Sequence, residues 1–454
     1  MKKNTIAVSA AAVVLILAVL ISLFVSDFCM QMRAIGVLAS CLILWISEAL
    51  PISISSLLMI ALLPFLGMMS FDEAISNFGV NTSLFIMASS GITIALSGGA
   101  VPKFLTNLIL KKCSQHPKML IVGISLTVAL FSAFVSSLAT CALFTALIVS
   151  ALKASGIKPC KTNFGKALML VIPACAGIGG FMSPAGTPAN ILVIDLLKQQ
   201  GIDVSFAKWC AIGFSVGLPA VLLFALSVII IIKPEKDIEP VTFSKVAFSS
   251  NDISTIVIVS AVIVGWFLTS FLPVISPTMI ALIGLGVMFL PPFRLLDIKK
   301  FSSGVNWDLV LAMGSVSILM TAVSNTGLLS DISTALFGNT SSFAPLFVMV
   351  IISLVICLLR AFIPTTTAVI ALFAPMLISV SQTTGLSISA LLMTASFWAA
   401  SALLLIYTEP IYLISYKEGY FREADLLKTG IIPSLILSVA ATFGIYFFTH
   451  FLGL

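Results

Sequence analysis

The feature that most constrains this chain is a succession of apolar runs, each roughly 17 to 25 residues long, that recurs along nearly its whole length. A helix of that length crosses a hydrocarbon core about 30 Å thick. Mean hydropathy is +1.21 and only 9% of the 454 residues are charged, which excludes an ordinary soluble globule. The strands of a membrane barrel alternate polar and apolar residues over about ten positions. These runs do not alternate, so the expected fold is an all-α polytopic membrane protein. The longest polar stretch, residues 233–252, is too short for a soluble domain.

Net charge is +6, and most of the excess is lysine between the runs, a topology signal rather than a clue to substrate. Lys2 and Lys3 precede an apolar stretch over 6–25 that is longer than a signal-peptide core and lacks a small-x-small cleavage site. An uncleaved first span is therefore expected. The eight cysteines show no C-x-x-C spacing and read as small hydrophobes. His116 and His450 lie near run ends, so histidine chemistry is not expected, and no nucleophile elbow or phosphate loop occurs. Nothing points to nucleic acid or to an enzyme; the expected surroundings are the lipid bilayer.

One run departs from the others. Residues 173–190, PACAGIGGFMSPAGTPAN, carry glycines, prolines and small polar residues where a spanning helix would carry leucine. A backbone group left unpaired in lipid costs several kcal/mol, so this segment faces protein or a water-filled cavity. Its helix is either kinked or broken near Gly186-Thr187-Pro188. A break offers N–H groups at one half-helix start and free carbonyls at the other half's end, which suit an anion and a cation respectively.

The run at 119–152 is bracketed by lysines, with Lys111, Lys112 and Lys118 before it and Lys153, Lys158, Lys161 and Lys166 after it. Both ends are then cytoplasmic. The small polar middle, Ser136-Ser137-Leu138-Ala139-Thr140, suits the tip of a re-entrant hairpin, although two complete short spans satisfy the same charges. The second half repeats the pattern. Ala133-Phe134-Val135 followed by Ala142-Leu143-Phe144 returns as Ala361-Phe362-Ile363 followed by Ala371-Leu372-Phe373. The enclosed polar centres are Ser136-Ser137 and Pro364-Thr365-Thr366-Thr367, and a second break follows at Tyr407-Thr408-Glu409-Pro410.

Counting spans opens one hairpin inward and the other outward, which makes the repeat inverted. The expected organisation is a first helix (1–30), a first repeat (31–232), a cytoplasmic linker (233–252) and a second repeat (253–454). The first repeat holds hairpin 119–152 and broken helix 165–199; the second holds hairpin 343–380 and broken helix 386–415. This gives about eleven transmembrane helices beside the two re-entrant hairpins, with the N-terminus cytoplasmic and the C-terminus outside.

Two motifs carry a family resemblance. Trp45-Ile46-Ser47-Glu48-Ala49-Leu50-Pro51 resembles W-x-T-E-A-[IL]-P, and Gly179-Gly180-Phe181-Met182-Ser183-Pro184-Ala185-Gly186-Thr187-Pro188-Ala189-Asn190 resembles GG-x-x-T-P-x-G-[TS]-P-P-N. Both belong to the divalent anion/sodium symporter family of di- and tricarboxylate carriers, whose order of spans is similar along nearly the whole chain. The resemblance implies an elevator-type secondary transporter of the cell (inner) membrane, usually a homodimer. In it a moving domain with both hairpins carries a small divalent or polyvalent anion past a scaffold, coupled to Na+. Carried over by position, Ser137, Thr187, Pro188, Thr366, Thr367 and Thr408 would bind substrate. Ser136, Ser137 and Gly186 would form one sodium site, and Thr365, Thr366 and Tyr407 the other. The family tips read Ser-Asn-Thr, whereas this chain has Ser136-Ser137-Leu138 and Thr365-Thr366-Thr367. The second break, T-P-P-N in the family, is Thr408-Glu409-Pro410-Ile411 here.

Two ionisable residues lie deep in that altered half, Arg360 and Glu409. Charges at such depth are costly and are functional or paired. Three readings are open: Arg360 is a fixed charge that partly replaces a cation beside the substrate, with Glu409 paired to it or taking a proton; the two form a structural ion pair; or Arg360 reaches an interface. Glu48 and Asp308 read as structural residues near span ends. Besides cation-coupled transport, the alternatives are a sodium-independent anion exchanger, a proton-coupled carrier using Arg360 and Glu409, and a channel or non-transporting receptor on the same scaffold.

Overall fold

The computed structural model describes residues 2–25, 28–47, 49–76, 78–113, 116–235, 247–272, 274–328, 331, 344–363 and 365–454. Glu48, Pro364 and most of the 233–252 linker lie outside the described residues. Among the described residues every regular element is a helix. In chain order these are α1 (Lys2–Phe24), α2 (Cys29–Ser47), α3 (Ile52–Phe65), α4 (Phe71–Ser76), α5 (Val80–Ser97), α6 (Val101–Cys113), α7 (Pro117–Phe134), α8 (Ser137–Ala154), α9 (Asn163–Phe181), α10 (Pro188–Gln199) and α11 (Phe206–Ile232). There follow α12 (Ser250–Leu268), α13 (Pro277–Phe289), α14 (Ile298–Gly304), α15 (Trp307–Ser324), α16 (Pro345–Arg360), α17 (Thr366–Thr384), α18 (Ile388–Ala400), α19 (Pro410–Tyr416) and α20 (Glu423–Phe451).

Nine helices among the described residues are long and apolar enough to cross a membrane. They include α7 and α8, the two arms of the first hairpin, at 18 residues each. An 18-residue helix is about 27 Å long, so length alone does not separate a re-entrant arm from a complete span. The apolar segment from 84 to 110, interrupted in sequence by Gly98-Gly99 and Pro102, is two helices. Gly98 and Gly99 end α5, and Asp252 Oδ1 accepts from the Ala100 N–H at 2.7 Å, fixing a new start for α6.

Local chemistry sets most other boundaries. Proline occupies the first turn of α7, α10, α13, α16 and α19, where its missing N–H is no loss and its φ is already helical. Thr162, Ser205, Ser249, Ser276 and Ser387 each accept from a first-turn amide of the helix they precede. The start of α9 has a second clamp, because the Glu235 carboxylate accepts from the N–H groups of Asn163 and Phe164, both at 2.8 Å. That ties the exit of α11 to the entry of α9.

The elements recur in one order. A 19-residue helix (α2, α12) leads to a 14- or 13-residue helix (α3, α13), a 6- or 7-residue helix (α4, α14) and an 18-residue helix (α5, α15). A hairpin (α7–α8, α16–α17), a broken helix (α9–α10, α18–α19) and a long closing helix (α11, α20) then follow in each half. The halves interlock crosswise. The second arm of each hairpin packs on the half-helix that follows the other half's break, α8 on α19 and α17 on α10, while α11 packs on α20. A second group of contacts joins α5 to α12, α13 and α15, and α15 to α3. The deepest elements are α9 and α18, which are buried almost throughout.

Candidate substrate and ion site

At the first break α9 stops at Phe181 and α10 restarts at Pro188. The turn of the first hairpin, Val135 and Ser136, comes against it. Ser137 donates to the Gly186 carbonyl from both its N–H and its hydroxyl, each at 3.3 Å. Ser132 Oγ donates to the Ala176 carbonyl at 2.6 Å, and Ser183 Oγ donates to the Ala133 carbonyl. Asn190 Nδ2 donates to the carbonyls of Gly180 at 2.8 Å and Ser183 at 2.6 Å. Neutral hydroxyls and one amide thus satisfy the carbonyls that the break sets free. The approach requires glycine at Gly186, where backbone is met, and at Gly180 a side chain would have to turn Ser137 away. A Cβ on Gly180 would lie 2.2 Å from Ser137 Oγ, and one on Gly186 would lie 2.4 Å from the Gly180 carbonyl oxygen.

Between this assembly and α5 lies a cavity of about 480 Å³. Ser89, Ser90, Thr93 and Ser97 of α5 line one wall, Ser136, Thr187 and Pro188 the other, and Asn306 lies at the edge. Thr93 Oγ1 accepts from the Ser136 N–H across it at 3.5 Å. Two helices start at this cavity, α8 after Ser136 and α10 after Thr187, and neither N-cap side chain bonds its own helix. First-turn amides have no intrahelical acceptor, and helix N-termini carry partial positive charge. Among the described residues no charged side chain lines the cavity. Ser89 and Ser90 donate to the Ile86 carbonyl and Ser97 to that of Ile94, and apolar residues such as Phe85, Ile94, Leu138 and Ile191 complete the lining. The cavity offers an oxyanion its backbone amides and threonine hydroxyls, and a hard cation its hydroxyl and carbonyl oxygens. The α5 hydroxyls were not singled out in the sequence. Their signal was the spacing of Ser89, Thr93 and Ser97, which puts three hydroxyls on one helix face.

The second break is built differently. Here α18 stops at Ala400, a short turn spans Ile406–Thr408, and α19 starts at Pro410. Arg360, the last residue of α16, is only 1% exposed, so it does not reach an interface. Its Nε donates to the Ala399 carbonyl at 3.1 Å and its Nη1 to the Thr408 carbonyl at 2.6 Å and to that of Ile363. Its Nη2 donates to Glu409 Oε2. Thr365 caps α17 by accepting from the Ala368 N–H, and Thr408 Oγ1 donates to the Leu405 carbonyl at 2.7 Å. The Tyr407 side chain is exposed and lies beside Glu423.

The structure thus gathers Ser136, Gly186, Thr187 and Pro188 at one cavity, with Ser137 directly behind its wall. Thr365, Thr366, Thr367, Tyr407, Thr408, Arg360 and Glu409 do not line it. The two breaks still communicate, because Asn190 Oδ1 accepts from Ser396 Oγ of α18 at 2.7 Å. Asp308 accepts from Ser53 Oγ and so joins α15 to α3.

A family model described as citrate transporter (CitMHS) matches residues 42–371 and 275–452. The chain belongs to the citrate transporter family. An uncharacterised transporter of Haemophilus influenzae is 22% identical to this family member over 91% of both chains. A sodium-dependent high-affinity dicarboxylate transporter of Caenorhabditis elegans is 22% identical, covering 87% of this chain and 79% of its own. Among solved structures, the YdaH transporter of Alcanivorax borkumensis matches with a TM-score of 0.53 at 13% identity, over 84% of this chain and 88% of that one; this is a likeness of fold. The family and these relatives agree with the resemblance to di- and tricarboxylate carriers. This citrate transporter family member is a multi-pass membrane transporter and not an enzyme.

Proposed function

We propose that this member of the citrate transporter family is a secondary active carrier of small divalent or polyvalent anions, di- and tricarboxylates foremost, working by elevator-type alternating access. The observation that carries the reading is the cavity between α5 and the first tip and break. Two helix N-termini and a row of hydroxyls meet there without a fixed charge. Helix N-termini are ready-made sites for carboxylates, and a volume of about 480 Å³ is in the range of small-ligand pockets.

The same neutrality favours cation coupling. A polyanion taken from water into a site with no basic side chain loses solvation that two helix N-termini repay only in part. A cation bound alongside it offsets that loss. Ser136, Ser137 and the Gly186 carbonyl form an all-oxygen group whose chemistry suits Na+, in line with the named sodium dependence of the C. elegans relative.

Alternating access would arise from sliding at the cavity. On one side stand α5, α12, α13 and α15; on the other, the hairpins and broken helices interlock crosswise. The recurrent element order and the crossed packing support inverted repeats. We place the carrier in the cell membrane as a homodimer, with a cytoplasmic N-terminus and an outside C-terminus. A thermal-shift screen of the detergent-purified protein tests the reading. Citrate, succinate, sulfate and phosphate are each added with sodium or choline as the cation. A ligand stabilises in proportion to RT ln(1 + [L]/Kd). A di- or tricarboxylate is expected to raise Tm, more so in sodium; no shift with any anion in either salt contradicts it.

A further inference from the structure

We infer that the ion position of the second half is filled by the protein itself: the Arg360 guanidinium occupies the carbonyl cluster a mobile cation would need, leaving only the first half able to hold an exchangeable one. The role in coupling rests on the transport reading above, whereas the occupancy stands on geometry alone. Three carbonyls from three separate stretches meet at this one group: Ile363 past the end of α16, Ala399 in the last turn of α18, and Thr408 just before α19. Carbonyls of this kind, released at helix ends inside a membrane protein, are the ligands that coordinate small cations at broken helices.

The repeat shows what was exchanged. Aligning Ala133-Phe134-Val135 with Ala361-Phe362-Ile363 pairs Ser132 with Arg360. Aligning the prolines that start α10 and α19 pairs Gly186 with Thr408 and Thr187 with Glu409. In the first half the Ser132 hydroxyl donates to the Ala176 carbonyl, and the Gly186 carbonyl takes only neutral donors from Ser137. In the second half Arg360 does both tasks, bonding a carbonyl of the entering half-helix and the carbonyl before the restart. Glu409, at the N-cap position Thr187 holds in the first half, accepts from Arg360 and cancels its charge. A guanidinium stays protonated at any working pH. The Thr365, Thr366 and Tyr407 set therefore does not fit a sodium ion.

Equilibrium binding of radioactive sodium to the purified full-length protein, with thermal stabilisation by NaCl against choline chloride as a second readout, tests this. The wild type is expected to bind no more than one Na+ per protomer. The double variant Arg360→Ser/Glu409→Thr, which copies the first half's residues into the second, is expected to gain one. Two sodium ions per wild-type protomer overturn the inference, as does a folded double variant with an unchanged count. If the double variant does not fold, the wild-type count decides by itself. Failure of every anion to bind or be transported would remove the transport reading while leaving this count intact.

Discussion

Arg360 and Glu409 set the behaviour of the second half at the scale of single residues. A buried ion pair stripped of one partner leaves an uncompensated charge and loses about 3–5 kcal/mol. Arg360→Ala and Glu409→Ala are each expected to lower Tm clearly, and the double Arg360→Ala/Glu409→Ala to lower it by less than the two singles summed. Thermal unfolding by a tryptophan signal checks this; additive or negligible effects would mean the pair is not coupled. Gly180→Ala acts on the first half. Its Cβ would meet Ser137 Oγ at 2.2 Å and push that side chain off the Gly186 carbonyl. The sodium concentration for half-maximal stabilisation is expected to rise roughly tenfold, equivalent to about 1.4 kcal/mol. At this scale the sequence was legible where the signal is local. Pro188 at a helix start and glycine beside it announce the break by themselves. The partners of Arg360 were not readable, because three of its four acceptors lie 39 to 49 residues away and meet it only in the folded chain.

Elements are held in place by a few polar clamps. Asn190 bridges the two broken helices, and Asn190→Leu would remove the side-chain partner of the Gly180 carbonyl and of the Ser396 hydroxyl, at about 1–3 kcal/mol each, while the Ser183 carbonyl would keep the Gly186 N–H. Thermal unfolding is expected to show a larger drop in Tm for Asn190→Leu than for Asn190→Gln, and an equal or smaller drop would contradict the bridging role. Glu235 clamps the start of α9. Burial raises its carboxyl, but the Asn163 and Phe164 N–H groups and the nearby Lys166 outweigh that and hold it below the usual carboxylate range. A carboxyl whose folded pKa lies below its unfolded one stabilises fully above the unfolded value of about 4.3. That stabilisation fades as pH falls through the folded value. The Tm difference between wild type and Glu235→Gln should therefore stay constant over about pH 6 to 8 and shrink toward zero in stronger acid. Element boundaries were largely written in caps and prolines. The clamp on the start of α6 was not, because the Asp252 carboxylate that accepts from the Ala100 N–H lies far along the chain.

At the scale of the whole molecule, most of the described helices after α1 recur in one element order and pack crosswise, with α5 facing the first tip at the cavity. The hydropathy runs and the recurring Ala-Phe motifs made the order readable, since both are local patterns in the sequence and do not depend on remote contacts. What escaped the sequence is the asymmetry: Arg360 bonds three carbonyls around the second break, where the first break meets only neutral donors, and the second polar centre does not line the cavity beside α5. If the hairpin body slides past α5, tying them together must stop transport. Thr93→Cys with Ser136→Cys, placed where Ser136 N–H meets Thr93 Oγ1, is expected to block uptake on oxidation and recover it with reductant. The most direct test of the account is uptake of labelled citrate and succinate into proteoliposomes holding the purified protein, with a sodium gradient or none. Saturable uptake of at least one of them, driven by the gradient and weakened by Thr187→Val, is the predicted result; flux that never saturates, or none above empty liposomes, would contradict it.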